Sequence, residues 1–448
     1  MMMKRIFLFF AILAALAACS DNDSFTTSPS ARLTFSVDSV KMDTVFSTVG
    51  SSTYTFWAFN NASDGIRLKS VRLRSGNQTG FRVNVDGSYL DNSLGSVVTD
   101  LEVRKGDSIR IFVELTAPEN GLEEAQLLED DLVFALESGV EQRVCLHAYA
   151  WDAIQMRDVI VSRDSLIESR KPIVVYGGIR VDSAATLIVR NSTLFFHDKA
   201  GIDVYGTVQM ERTLLRGDRL DHMFDYLPYD RVSGQWRGLH FYSSSFGNTM
   251  TDTEIRNPED GIVIDSALVS PEDQRLYMER CIVHNCKGDG LKAYHAYVGL
   301  LRCQLTNAQG DCMAVYGGVA ILDRCTLAQF YPFVGGRGAA LRFTNFYQEY
   351  DYPLLQFTCK NSIVTGYADD VVMGETRDTT VTYNYFFENS LLRTPEVSDT
   401  TRFVNITWEE SKDTTTGGKK HFVLIDEQNL RYDFHLDSLS TAQGKGCY

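Results

Sequence analysis

Between Leu276 and Thr326 the chain repeats itself every 22 residues. Cys281, Cys303 and Cys325 occupy one phase of the repeat, and Gly288-Asp289-Gly290 is answered one period later by Gly310-Asp311-Cys312. Each unit closes on an apolar, tyrosine-containing run, Leu291 to Tyr294 and Met313 to Tyr316. A unit this short cannot bury a core of its own, so the repeats must stack on one another as a solenoid. Extended in both directions, the cysteine phase continues as small residues before an apolar pair: Ser192, Thr213, Thr253, then Ser362 and Ser390 beyond the cysteines. The second phase continues as Gly201-Ile-Asp-Val, Gly238-Leu-His-Phe, Gly261-Ile-Val-Ile and, later, Ala340-Leu-Arg-Phe. Helical periodicity is absent, so the coils are short strands joined by tight turns, stacked at about 4.8 Å with Val, Ile and Leu inward.

This pattern, from about residue 155 to 448, resembles the right-handed parallel β-helix superfamily that includes pectate lyases and polygalacturonases. The resemblance supplies the handedness and implies an all-β solenoid over residues 151–448. A long insertion, 216–246, interrupts it and is similar to a pattern in Bacteroidetes β-helix lipoproteins, as is the ending Phe434-His-Leu-Asp-Ser-Leu-Ser-Thr-Ala-Gln-Gly. Insertions leave a solenoid where a binding face can be built.

Upstream, from residue 31 to 150, the text changes to short alternating runs such as STYTFWAFN, IRLKSVRLR and DSIRIFVELT, separated by Gly, Asn, Asp and Pro. Seven such runs predict an antiparallel β-sandwich. Asp43-Thr44-Val45-Phe46, Phe59-Asn60-Asn61, Gly80-Phe81-Arg82-Val83 and Lys105-Gly106-Asp107-Ser108 resemble the Ig-like family that includes Hydin-type domains. His147 and Trp151, near its end, are expected to pack rather than to bind a ligand.

The first 18 residues read as a signal peptide: Lys4 and Arg5, then an apolar run from Ile6 to Ala18 too short to span a bilayer. Leu16-Ala17-Ala18-Cys19 resembles the lipobox of bacterial lipoproteins, which implies a lipid on Cys19, and the acidic residues after it resemble the surface-export signal of Bacteroidetes lipoproteins. Residues 19–30 are expected to be a flexible tether. Cleavage takes the net charge from −15 to −17, and an acidic chain does not neutralise nucleic-acid phosphates. Cys19 apart, eight cysteines remain, and the register of three of them favours buried free thiols over a disulfide framework.

Two places could carry chemistry. Asp289 and Asp311 echo the paired acidic motifs of polygalacturonases one coil apart, with Arg337 where that family's histidine is expected; Gly310 replaces one of the family's aspartates. That loss removes an acid/base partner, and a repeated Gly-Asp is also an ordinary turn solution. In the insertion, His222, Asp225, Tyr226, Tyr229, Asp230, Arg231 and Trp236 mix aromatic rings with polar groups, as a sugar-binding face does; packing of the loop on itself is the competing explanation. His197-Asp198 is too common a pair to mark a metal site. No cofactor is implied; a lyase would need calcium, for which Asp260, Asp369 and Asp370 are the available carboxylates. The expectation is an outer-membrane, cell-surface lipoprotein that binds glycans or another macromolecule without catalysis. A hydrolase or lyase with a degenerate site and a structural spacer are the alternatives.

Overall fold

The computed structural model describes residues 24–221, 228–270, 273–410 and 416–448. They form two compact units, one ending at Trp151 and the other beginning at Asp152.

The first unit is a sandwich of two five-stranded sheets. One orders Leu33–Phe35, Tyr54–Asn60, Ser108–Leu115, Phe81–Val85 and Ser88–Tyr89; the other orders Ser39–Phe46, Glu141–Trp151, Gln126–Leu136, Ile66–Leu73 and Val97–Val103. Alternation sets the inner face: in Tyr54–Asn60, Phe56, Ala58 and Asn60 are buried while Thr55, Trp57 and Phe59 face out. Phe56 and Phe81 from one sheet and Phe134 and Leu146 from the other share the core. The seven expected strands are joined by Ser39–Phe46, Ser88–Tyr89 and Val97–Val103. Ser39–Phe46 pairs with Glu141–Trp151 in parallel, so the sandwich is not wholly antiparallel. Trp151 stacks on Phe46 and its indole N–H donates to Glu123 O at 2.8 Å, a packing role. The expected tether is docked from Ser24 onward: Thr26 N donates to Gly65 O, Gly65 N donates to Ser24 O, and the Arg67 guanidinium covers the Phe25 ring at 4.2 Å.

The second unit is a parallel β-helix of 26 strands, each pairing with the strand one coil further on. The 22-residue step is the coil itself: Ile282 pairs with Gln304 and Gln304 with Thr326, while Leu291 pairs with Met313. Inward columns such as Leu215, Ile255, Val283, Leu305 and Leu327 are wholly buried.

The cysteine phase is a corner. The residue before each small one has a left-handed backbone: Asn191, Arg212, Asp252, Arg280, Arg302, Arg324, Asn361 and Asn389 all have φ between 48° and 52°. That turn points the next side chain into the interior and frees the carbonyl two residues back. Ser192 Oγ donates to Arg190 O at 2.7 Å, Cys281 Sγ to Glu279 O at 3.3 Å, and Ser362 Oγ to Lys360 O at 2.6 Å. Cys, Ser and Thr interchange here because each is small and carries a donor. The eight described cysteines are free.

The last coil ends at Thr407–Trp408. The chain then folds back along the outside of the solenoid instead of adding coils to 448. A short turn, Gly418–His421, leads into a hairpin of Phe422–Asp426 and Arg431–Leu436, and Phe422, Phe434 and Ala442 pack on Ala328, Phe330, Ile363 and Leu391. The tail is tied down coil by coil: Gly446 N to Asn361 O, Cys447 N to Thr326 Oγ1, and Tyr448 OH to Gln304 Oε1.

Candidate functional site

The aspartate phase forms a ladder. Asp260 Oδ1 accepts from Asp289 N at 2.8 Å, Asp289 Oδ1 from Asp311 N at 2.7 Å, and Asp311 Oδ1 from Ala339 N at 2.7 Å. Each carboxylate thus closes the turn of the next coil. The outer oxygens are taken by cations: Asp289 Oδ2 lies 2.5 Å from Lys292 Nζ, and Asp311 Oδ2 lies 2.5 Å from Arg342 Nε. With side-chain exposures of 15% and 7%, both carboxylates are engaged at both oxygens, by turn N–H groups and by cations. Arg337 does not join them. Its guanidinium donates to Val334 O and covers the Tyr367 ring. The cation that sequence reasoning missed, Arg342, was available: Gly290-Leu-Lys-Ala and Ala340-Leu-Arg-Phe put Lys292 and Arg342 at the same outward position. Burial works against the Lys292 charge, but Asp289 outweighs it and raises the amine above its usual value. Among the described residues no group of three His, Cys, Asp or Glu side chains is placed to hold a metal ion, and Asp370 is occupied with Val372 N.

The insertion proper lies between Gly217 and Gly238, shorter than expected, because Leu214–Gly217 and Gly238–Phe241 are already coil strands. Trp236 is core: it is 1% exposed, stacks on Phe196 at 4.4 Å, and its indole N–H donates to Arg256 O. A ring so placed cannot receive a sugar, which corrects the expectation for this residue. Tyr229, Asp230 and Arg231 form a short 3-10 turn pinned to the solenoid. Asn257 Nδ2 donates to Asp230 O at 2.8 Å and Asn285 Nδ2 to Arg231 O at 2.6 Å. These two asparagines sit at a second left-handed corner, with φ of 60° and 61°. Tyr229 lies under the Arg219 guanidinium, and Arg231 Nη1 donates to Asn429 O of the C-terminal hairpin. Cys19, His222, Asp225 and Tyr226 lie outside the described residues.

That turn and the folded-back hairpin wall a groove of about 480 Å³ whose floor is the outer face of the solenoid. Register explains the floor. Outward positions align as Leu214, Glu254, Ile282, Gln304 and as Arg216, Arg256, His284, Thr306, alternating with the inward aliphatic column. Arg216 donates to the carbonyls of Gly217, Arg219 and Asp230; burial pulls its guanidinium below the usual value, though Asp230 opposes the shift. Arg256 Nε is paired with Glu254 at 2.5 Å, leaving its two Nη groups without a partner among the described residues. His284 is pushed down to about 3 by burial, with the Arg256 charge adding to it, so it is neutral near pH 7. Its Nδ1 pairs with Thr306 Oγ1, and Tyr432 and Phe434 meet the ring edge-on. At the rim, His435 and the Tyr448 ring lie 4.0 Å apart. Of the described residues of the sequence-predicted face, Asp230 and Arg231 line the groove. Its cap half was invisible beforehand, since nothing in the sequence says that residues 416–448 return to coils 200 residues earlier.

A second cluster needs exclusion. Ser440 Oγ pairs with His421 Nδ1 at 2.9 Å, and His421 Nε2 lies 3.4 Å from Glu409 Oε2. The order mimics a hydrolytic triad, but His421 is 0% exposed and Ser440 also accepts from Ala442 N. No substrate reaches it; it is the lock of the C-terminal cap. The Ser-x-Ala of the terminal motif is therefore a packing device.

Residues 3–20, a span containing Cys19, match the prokaryotic membrane lipoprotein lipid attachment site. No curated protein matches the chain in sequence. Among solved structures, the catalytic unit of a thermostable GH87 alpha-1,3-glucanase from Streptomyces thermodiastaticus strain HF3-3 is 11% identical. It aligns over 79% of this chain and 86% of its own, with a TM-score of 0.29. The Agl-KA catalytic domain is 11% identical over 77% of this chain and 76% of its own, with a TM-score of 0.27. At those scores neither carries an argument about this chain's chemistry, and the fold described above rests on its own strand pairing.

Proposed function

We propose that this protein is a lipid-anchored glycan-binding protein without catalysis. It is anchored in the outer membrane of a Bacteroidetes-type cell, at the cell surface, and comprises an Ig-like sandwich and a β-helix. The groove between solenoid and hairpin is the observation that carries the reading. It brings the Nη groups of Arg256, which have no partner among the described residues, together with the rings of His435 and Tyr448 in one cleft of about 480 Å³. Sugars are held by this pairing of hydroxyl-directed donors with ring faces. The lipid attachment site supports membrane anchoring, and the acidic residues after Cys19 support export to the surface. The non-catalytic part rests on Asp289 and Asp311, whose carboxylates are committed to backbone N–H groups and to Lys292 and Arg342. The reading requires no cofactor.

A glycan array probed with the full chain, followed by titration of the hits, tests it. Arg256→Ala and His435→Ala should each weaken a hit about tenfold, the loss of one charge-assisted hydrogen bond or one ring contact. New reducing ends or unsaturated products from any hit would make the protein an enzyme. Failure to bind any glycan would leave the spacer reading.

A further inference from the structure

The left-handed corner that carries the cysteine phase also runs a row of polar side chains up the outside of the solenoid, and almost every member is neutralised by a neighbour. Asn405 Nδ2 donates to Asn389 Oδ1 at 2.9 Å, Asn389 Nδ2 to Asn361 Oδ1 at 2.7 Å, and Asn361 Nδ2 to Asp323 Oδ1 at 2.7 Å. Lower down, Arg212 Nε donates to Asn191 Oδ1 at 2.7 Å, and Arg280 holds both oxygens of Asp252 at 2.7 and 2.9 Å. The row breaks between these two stretches. Arg302, on one coil, has no side-chain partner among the described residues. Arg324, on the next, has only Asp323 Oδ2 at 3.6 Å, and the other oxygen of that carboxylate already serves Asn361.

Both arginines are exposed, and both have φ of 52°. Identical backbone geometry one coil apart sends the two side chains out side by side, about 4.8 Å from each other at their origins. Two guanidinium groups in that position repel unless an anion lies between them. Beside them is a hollow of about 520 Å³, floored by Cys281 and Ile282 and walled by the tail at Gly444, Gly446 and Cys447. The wall is fixed: Cys447 N and Sγ both reach Thr326 Oγ1 at 3.2 Å, and a Cβ on Gly446 would fall 2.6 Å from that same oxygen.

We propose that Arg302 and Arg324 form an oxyanion site, taking a phosphate or sulfate ester carried by a larger ligand. A tetrahedral ester group, dianionic as a phosphate and monoanionic as a sulfate, offers three oxygens to two planar forks at once, which a single carboxylate does less well. The chain as a whole is strongly acidic, so such a group is not drawn by net charge and must be held by these two side chains. The site stands apart from the reading of the groove, because it rests on the break in the corner row.

The test is calorimetric titration of the full chain with glucose 6-phosphate and with a 6-sulfated monosaccharide, against inorganic phosphate and sulfate. Saturable binding of an ester is expected, weakened about tenfold by Arg302→Ala or Arg324→Ala and abolished by the pair. Neither change removes a close side-chain hydrogen bond, so the circular dichroism spectrum should be unaltered. Inorganic ions binding as tightly as the esters would identify a free oxyanion as the ligand; weaker ions would identify a carried ester. Absence of saturable binding by esters and ions alike, or undiminished binding in the double variant, overturns the site. Neither outcome touches glycan binding at Arg256.

Discussion

Removing the Glu409 carboxylate should release the C-terminal cap from the solenoid. One oxygen accepts from Arg393 Nη1 and from Gly418 N, both at 2.5 Å; the other accepts from Thr365 Oγ1 at 2.7 Å and faces His421. The Glu409 and Arg393 side chains are 4% and 8% exposed, so the pair is buried in a protein interior. Glu409→Ala leaves the Arg393 cation buried with Ala368 O as a remaining acceptor and strands the Gly418 N–H. Breaking one half of a buried pair costs about 3–5 kcal/mol. Glu409→Gln keeps the shape and loses the charge, for about 1.5–3 kcal/mol. Replacing both partners, as Glu409→Leu with Arg393→Met, should recover part of the loss, leaving about 1–3 kcal/mol, since no charge is then stranded although Gly418 N and Thr365 still lack their acceptor. Urea unfolding gives the free energy, and limited proteolysis shows whether residues 416–448 open before the coils. Acid adds a second readout. Burial raises the Glu409 carboxyl, but His421, Thr365 and Arg393 outweigh it and the net shift is downward from 4.5. A carboxyl lowered in the folded state stabilises above its unfolded value and loses that contribution as pH falls through the folded one. The parent should therefore lose cap stability only below about pH 4.5, and Glu409→Gln should lack that portion of the profile. Glu409→Ala within about 1 kcal/mol of the parent at pH 7 would refute the reasoning.

Asp311→Ala strands Ala339 N and the Arg342 charge, and should cost about 1–3 kcal/mol in urea midpoint while leaving glycan affinity unchanged. Trp236→Ala opens a cavity beneath the insertion and should cost about 3–5 kcal/mol, a loss of stability and not of a sugar contact; wild-type stability would contradict its burial. Burial pushes Cys312 and Cys359 up to about 12 and raises Cys286 and Cys303, while the hydrogen bond with Cys303, followed by burial, raises Cys281. Native protein should therefore leave these thiols unlabelled by a thiol reagent at pH 8, with labelling appearing at the urea midpoint; mass spectrometry counts them.

The sequence by itself determined the coil. A 22-residue step is legible because each coil must present the same side chain to the same corner, so Cys, Ser and Thr recur in phase and every aliphatic column can be traced without coordinates. The sandwich was legible for the same reason, as alternation with period two, except in the two-residue Ser88–Tyr89, in Val97–Val103, which does not alternate, and in Ser39–Phe46, which departs from it between Asp43 and Val45 and pairs in parallel. What the repeat could not reveal is which polar groups cancel one another. Asp289 and Asp311 looked like an acid pair until Lys292, Arg342 and the turn N–H groups were seen to occupy them, contacts made between coils. Trp236 looked like a binding residue because an insertion with no period offers no rule for inside and outside. The groove was decided by tertiary structure alone. Periodicity describes contacts to the coil above and below, whereas the hairpin at Phe422–Leu436 returns to coils built from residues 214–306. That contact depends on apolar surface and chain reach, neither of which leaves a spacing in the sequence.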